Sequence, residues 1–89
     1  MEKIANDIGW PITIIRTRYG GVYEGGEWLA TTDHFRDIPE DAMGSDIECF
    51  DFFEQLRENG GKRPLDGGFY GVGDTIGAAL ICLLENIQK

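Results

Sequence analysis

The stretch Ile76-Gly77-Ala78-Ala79-Leu80-Ile81-Cys82-Leu83-Leu84-Glu85-Asn86-Ile87 decides the architecture. Its apolar residues Ile76, Ala79, Leu80, Leu83, Leu84 and Ile87 fall at i, i+3, i+4, i+7, i+8 and i+11, the spacing that lines one face of an α-helix. Asp74 or Thr75, just before it, offers the side chain of an N-cap. So one-sided a helix must lay its stripe on a second layer, and the rest of the chain supplies short β-segments to build one.

Working back, Phe69-Tyr70-Gly71-Val72 is short and aromatic enough for a last strand. Near the other end, Ile12-Thr13-Ile14-Ile15-Arg16-Thr17-Arg18 is rich in β-branched residues. It alternates, with Ile15 and Thr17 on one side and Ile14, Arg16 and Arg18 on the other. Pro11 suits the start of such a strand, where the ladder does not need its missing N–H. Glu27-Trp28-Leu29-Ala30-Thr31-Thr32 reads as the next, with Trp28 and Ala30 opposite Leu29 and Thr31. Between them stand two glycine pairs, Gly20-Gly21 and Gly25-Gly26, either of which can form the tip of a hairpin.

The middle of the chain is anionic. Nine of its 16 carboxylates (Asp33, Asp37, Glu40, Asp41, Asp46, Glu48, Asp51, Glu54 and Glu58) are opposed locally by Arg36 and Arg57 alone, a net −7 out of −8 overall. Ile38-Pro39-Glu40-Asp41-Ala42 reads as a turn or one helical turn with Pro39 at its first position. Ser45-Asp46-Ile47-Glu48 has the pattern of a capping box, so a helix is expected from there to about Asn59, stopped by Gly60-Gly61. Cys49, Phe52, Phe53 and Leu56 form its core stripe, and Asp51, Glu54 and Glu58 an acidic ridge on the other side. The expected fold is α+β: one domain over residues 1–89, with an antiparallel sheet of three or four strands and two helices packed on one face.

Chemistry is scarce. His34 beside Asp33 has no third residue to orient it. Cys49 and Cys82 fall on apolar helix faces with no CxxC spacing, which suits reduced core thiols and leaves no metal set. Gly71-Val72-Gly73-Asp74-Thr75-Ile76-Gly77 lacks the spacing and the lysine of a phosphate loop, and Asp74 repels phosphate. No acidic run follows the alternating calcium-loop pattern. Arg16, Arg18, Lys62 and Arg63 are too few to make a nucleic-acid surface against a net −8. The expectation is therefore a protein without catalytic residues, metal or cofactor. Met1 to Asp7 has no signal-peptide pattern and no later apolar run spans a bilayer, which points to the cytoplasm, that of the host if the gene is a phage's.

Two resemblances bear on function. Gly73-Asp74-Thr75-Ile76-Gly77-Ala78-Ala79-Leu80 with its helix resembles the helix start of HicB-type antitoxin domains, whose strands carry a Gly-Tyr hairpin comparable to Gly21-Val22-Tyr23-Glu24. That likeness implies a module that neutralises a small basic ribonuclease toxin. The hairpin Arg18 to Trp28, with small size, acidity and no catalytic motif, is similar to phage-encoded anti-defence proteins, including anti-CRISPRs. This second likeness implies an inhibitor that mimics DNA by docking its acidic face on a basic, nucleic-acid-binding surface of a host defence complex. Asp37, Glu40, Asp41, Asp46, Asp51, Glu54 and Glu58 would be the contacting carboxylates, with Phe35 and Phe50 adding apolar area. Direct nucleic-acid binding and membrane attachment are not expected, and monomer and homodimer remain equally open.

Overall fold

A computed structural model describes residues 11–63 and 67–88. Three strands, β1 (Thr13–Arg16), β2 (Trp28–Thr31) and β3 (Tyr70–Gly73), and two helices, α1 (Asp46–Glu58) and α2 (Ile76–Gln88), make an α+β fold. Two short 3₁₀ turns, Phe35–Asp37 and Glu40–Met43, connect β2 to α1. The sheet is antiparallel throughout in the order β1-β2-β3, with Ile14 opposite Ala30 and Ala30 opposite Gly71.

The helices do not share a face of the sheet, as the sequence suggested, but cover opposite faces. Successive strand residues point to opposite sides. On β2, Ala30 packs with Ala79, Leu80 and Leu83 of α2, whereas Leu29 packs with Phe53 and Leu56 of α1 and Tyr70 of β3. β3 is divided the same way. Tyr70 and Val72 turn to α1, while Gly71 and Gly73 leave bare backbone under α2. A Cβ on Gly71 would stand 2.7 Å from the Ala79 carbonyl oxygen, so only glycine lets the helix backbone come this close. Both faces of a central strand such as β2 are then buried, each Leu contributing about 1.5–3 kcal/mol of transfer free energy.

The helix ends are those the residues dictate. Ser45 Oγ accepts from the Glu48 N–H at 3.4 Å and Glu48 Oε1 accepts from the Ser45 N–H at 3.1 Å, a complete capping box. At the far end of α1, Gly61 N–H donates to Leu56 O at 2.7 Å and Gly60 N–H to Arg57 O at 3.3 Å, with φ of +68° at Gly60, a Schellman motif. Thr75 rather than Asp74 caps α2, its Oγ1 accepting from the Ala78 N–H at 3.0 Å. Pro39 is the N-cap of the second 3₁₀ turn, one place earlier than expected.

Neither glycine pair makes a tight hairpin tip. The ladder closes at Thr17 N–H to Glu27 O, 2.8 Å, and Gly20, Gly21 and Gly25, all at positive φ, wind a longer loop around Glu24. That carboxylate is fully buried and accepts from the N–H groups of Tyr19 (3.0 Å) and Gly21 (3.2 Å). Backbone donors turned inward offset the cost of burying its charge.

Candidate functional site

Eight of the nine central carboxylates are exposed; Asp33 is not. Asp33 Oδ2 accepts from Tyr70 Oη at 2.6 Å and from Arg63 Nε at 3.1 Å, so it fastens the segment after β2 to β3. Burial, and next the bond to Asp33, push the Tyr70 phenol well above its ordinary range. On Arg63, burial opposes the charge, but the Asp33 carboxylate outweighs it and holds the guanidinium protonated.

The exposed acids occupy a continuous length of chain. Asp37, Glu40 and Asp41 lie on the two 3₁₀ turns, and Asp46, Asp51, Glu54 and Glu58 lie on α1. The 3₁₀ turns are not held by their own short ladders alone. Arg18 donates to the carbonyls of Met43 (2.8 Å) and Gly44 (2.9 Å), Tyr19 Oη donates to Gly44 O (3.2 Å), and Cys49 Sγ reaches Ala42 O (3.3 Å). The hairpin loop therefore positions the acidic segment. Asp41 and Glu48 influence each other's ionisation across this junction. A hydrogen bond to Glu48 chiefly raises the Asp41 carboxyl, while the Ser45 backbone, the Ser45 hydroxyl and then Asp41 lower Glu48.

Apolar side chains interrupt the acids. Phe35 (64% exposed) sits on the first 3₁₀ turn, Ile47 (70%) and Phe50 (47%) on the outer side of α1. Ile47, Asp51, Glu54 and Glu58 follow one another at i, i+4, i+7 and i+11, so they form one stripe, with Phe50 beside it. The structure thus brings Asp46, Asp51, Glu54, Glu58 and Phe50 onto one helix. It places Phe35, Asp37, Glu40 and Asp41 on the turns that precede it. Ile47 was overlooked in the sequence, although its place opposite the Cys49-Phe53-Leu56 stripe already assigned it to solvent.

The residues considered for chemistry have structural employment. His34 is exposed and its Nδ1 accepts from the Arg36 N–H at 3.2 Å, capping the first 3₁₀ turn. Burial, then the Glu24 charge, push the Cys49 thiol up, away from the thiolate a nucleophile needs. Cys82 is half-buried on α2, beside Asn86. Among the described residues no group of three or more His, Cys, Asp and Glu is placed to hold a metal ion, and no helix is long and apolar enough to cross a membrane. Comparison with protein-family models, with curated proteins and with solved structures returned no match.

Proposed function

We propose that this chain is a stoichiometric protein inhibitor of the anti-defence kind, possessing no catalysis of its own, whose acidic segment docks on a basic surface that otherwise grips nucleic acid. One observation carries the reading: Ile47 and Phe50 stand exposed on the same helix as Asp46, Asp51, Glu54 and Glu58. Carboxylates spaced along a rigid helix steer a cationic partner, and the apolar pair supplies area to bury once it arrives. Phe35, Asp37, Glu40 and Asp41 extend the same chemistry along the preceding turns.

The test compares the wild type with Asp51→Lys/Glu54→Lys and with Ile47→Ser/Phe50→Ser as baits for host proteins. Each captured protein is then assayed for nucleic-acid binding with and without bait. A captured basic protein that loses its nucleic acid to the wild type, and to neither variant, supports the proposal. The charge-reversed variant keeps its denaturation midpoint, because exposed charges typically shift stability by no more than about 0.5 kcal/mol. Wild-type capture also weakens from low to physiological salt, where the screening length shrinks to about 8 Å. Equal capture by all three baits removes α1 from the interface. Capture of a small basic ribonuclease favours the antitoxin-like module instead.

A further inference from the structure

A groove of about 230 Å³ opens beside β3, between α1 and α2. Its walls are the side chains of Phe53, Leu56, Tyr70, Val72 and Cys82, and Gly60, Gly61 and Gly71 border it with no side chain to fill it. A cavity of roughly 150 Å³ lined by leucine, isoleucine and phenylalanine takes a benzene ring. The space here therefore suits a ring with a short chain attached.

Two charged side chains belong to this lining, and they differ. Glu24 is fully buried, and its two oxygens accept from the N–H groups of Tyr19 (3.0 Å) and Gly21 (3.2 Å). Arg57 is exposed, and its guanidinium has neither a hydrogen bond nor an ion pair among the described residues. A Cβ built on Gly25 would stand 3.4 Å from Arg57 Nη1 and 3.7 Å from Val72 Cγ2, so this cation lies against the hairpin loop on the Val72 side of the groove. Glu54 and Glu58 on α1 and Glu85 on α2 are exposed but take no part in the lining.

We propose that the groove binds a small organic acid, an aryl or short alkyl body carrying one carboxylate, with the carboxylate on Arg57 and the body against Phe53, Leu56 and Val72. The guanidinium fork matches the two oxygens of a carboxylate, and with no internal partner to give up it is free to do so. A single cation matches a single negative charge. The chain's net −8 opposes a dianion such as a phosphate ester more strongly than a monoanion. Glu24 keeps its loop donors and only closes the inner end of the lining.

The probe is hydrocinnamate, compared with its neutral amide and with phenylpropylamine, which share its body. Titrated into the ¹⁵N-labelled protein at neutral pH, hydrocinnamate is expected to give saturable shifts of the Gly61, Val72 and Cys82 amide signals. It should bind about tenfold more tightly than the amide, the difference one charge-assisted pair makes. Arg57→Gln removes that advantage and leaves the affinity for the amide unchanged, and since Arg57 is exposed and unpaired the variant keeps its denaturation midpoint. Cys82→Met fills the groove and weakens acid and amide alike; if it does not fold, by its circular dichroism, the Arg57→Gln comparison decides the matter. Ile47→Ser/Phe50→Ser binds hydrocinnamate as the wild type does, so the fate of the docking stripe on α1 leaves this test untouched. Acid and amide binding equally, an advantage that survives Arg57→Gln, or no saturable binding by any of the three compounds overturns the proposal. So does a preference for phenylpropylamine, which assigns the groove to a cation, or shifts confined to Ile47 and Asp51.

Discussion

The two faces of the sheet are built to different tolerances. Toward α2 the contact is backbone on backbone, Gly71 and Gly73 lying beneath Ala78, Ala79 and Leu83 with no side chain between. Toward α1 it is made by large rings, with Phe52 edge-on to Phe53 at 5.0 Å and to Tyr70 at 5.8 Å, and it opens into the groove. The first face fixes the fold and presents α2 as a plain apolar helix. The second holds its helix at a distance, with polar tethers at each end, and the exposed acidic stripe lies on that side. A small protein that has to keep a core and display a surface has assigned one task to each face.

The largest expected effect contrasts neighbours. Gly71→Ala and Val72→Ile each add one carbon, but to opposite faces. Gly71→Ala drives a methyl into the backbone of α2, which cannot yield, and is expected to cost about 3 kcal/mol, the upper end of overpacking. Val72→Ile puts its carbon beside the groove and should cost about 1 kcal/mol or less. Denaturation midpoints decide it, and equal losses would mean that the two faces are packed alike.

Next in size is the clasp that joins the faces' shared strand to the acidic segment. Tyr70→Phe removes a hydrogen bond to a charged group and is expected to cost about 1.5–3 kcal/mol at neutral pH. The phenol is raised in the folded protein, from an ordinary value of 10.0. Its stabilisation is therefore complete below about pH 10 and is lost as pH climbs above it. Wild type and Tyr70→Phe should accordingly converge in stability in alkaline urea titrations. A gap that stays constant through that range would show that the phenol does not donate to Asp33.

These effects also mark what the sequence could disclose. Period and capping chemistry are local, so the α2 stripe, the capping box and the glycine stop of α1 were readable from neighbours within a turn. The division of the helices between two faces was also written locally, in the alternation Tyr70-Gly71-Val72-Gly73, but bare glycines on one side of a strand do not say which helix lies over them. The burial of Asp33 and Glu24 was hidden for a different reason. In the sequence Asp33 is one acid of nine, and only Tyr70 and Arg63, thirty or more residues away, withdraw it from the surface. Glu24 is buried because glycines at positive φ turn N–H groups toward it. The string Tyr19-Gly20-Gly21-Val22-Tyr23-Glu24-Gly25-Gly26 held that signal, though it reads equally as a flexible tip. Of the proposed docking residues, all those named from sequence are exposed; the apolar Ile47 emerged only with the helix in view.

A smaller effect tests the tether at the start of α1. Ser45→Ala removes one half of the capping box and should cost about 1 kcal/mol. It should leave the Gly71 side untouched, so in hydrogen exchange the loss appears at the amides of the first turn of α1 and not in α2. Loss spread evenly over both helices would mean that the two faces unfold as one unit and do not differ in local stability.

The smallest effect is the mutual influence of Asp41 and Glu48, and it probes the acidic face itself. Ordinarily an aspartate loses its proton before a glutamate, from values of 3.8 and 4.5 here. In the folded protein the two should move toward each other. Asp41 is raised, first by its hydrogen bond to Glu48 and also by the acids around it, and Glu48 is lowered, first by the Ser45 backbone. The stability consequences oppose each other. A raised Asp41 contributes below its ordinary value and loses that contribution as pH rises through the raised one. A lowered Glu48 contributes above its ordinary value and loses it as pH falls through the lowered one. Both groups are open to solvent, so the net effect on unfolding is slight and carboxyl ¹³C titration is the measurement that resolves it. Glu48→Gln should return Asp41 toward ordinary behaviour, because its main partner is no longer an anion. Asp41→Asn should move Glu48 much less, since Ser45 does most of the lowering. An Asp41 that titrates at its ordinary value in the wild type would sever the two and leave the 3₁₀ turn held beside α1 by Arg18, Tyr19 and Cys49. In that case the acids of the turns and those of the helix would meet a partner as separate patches.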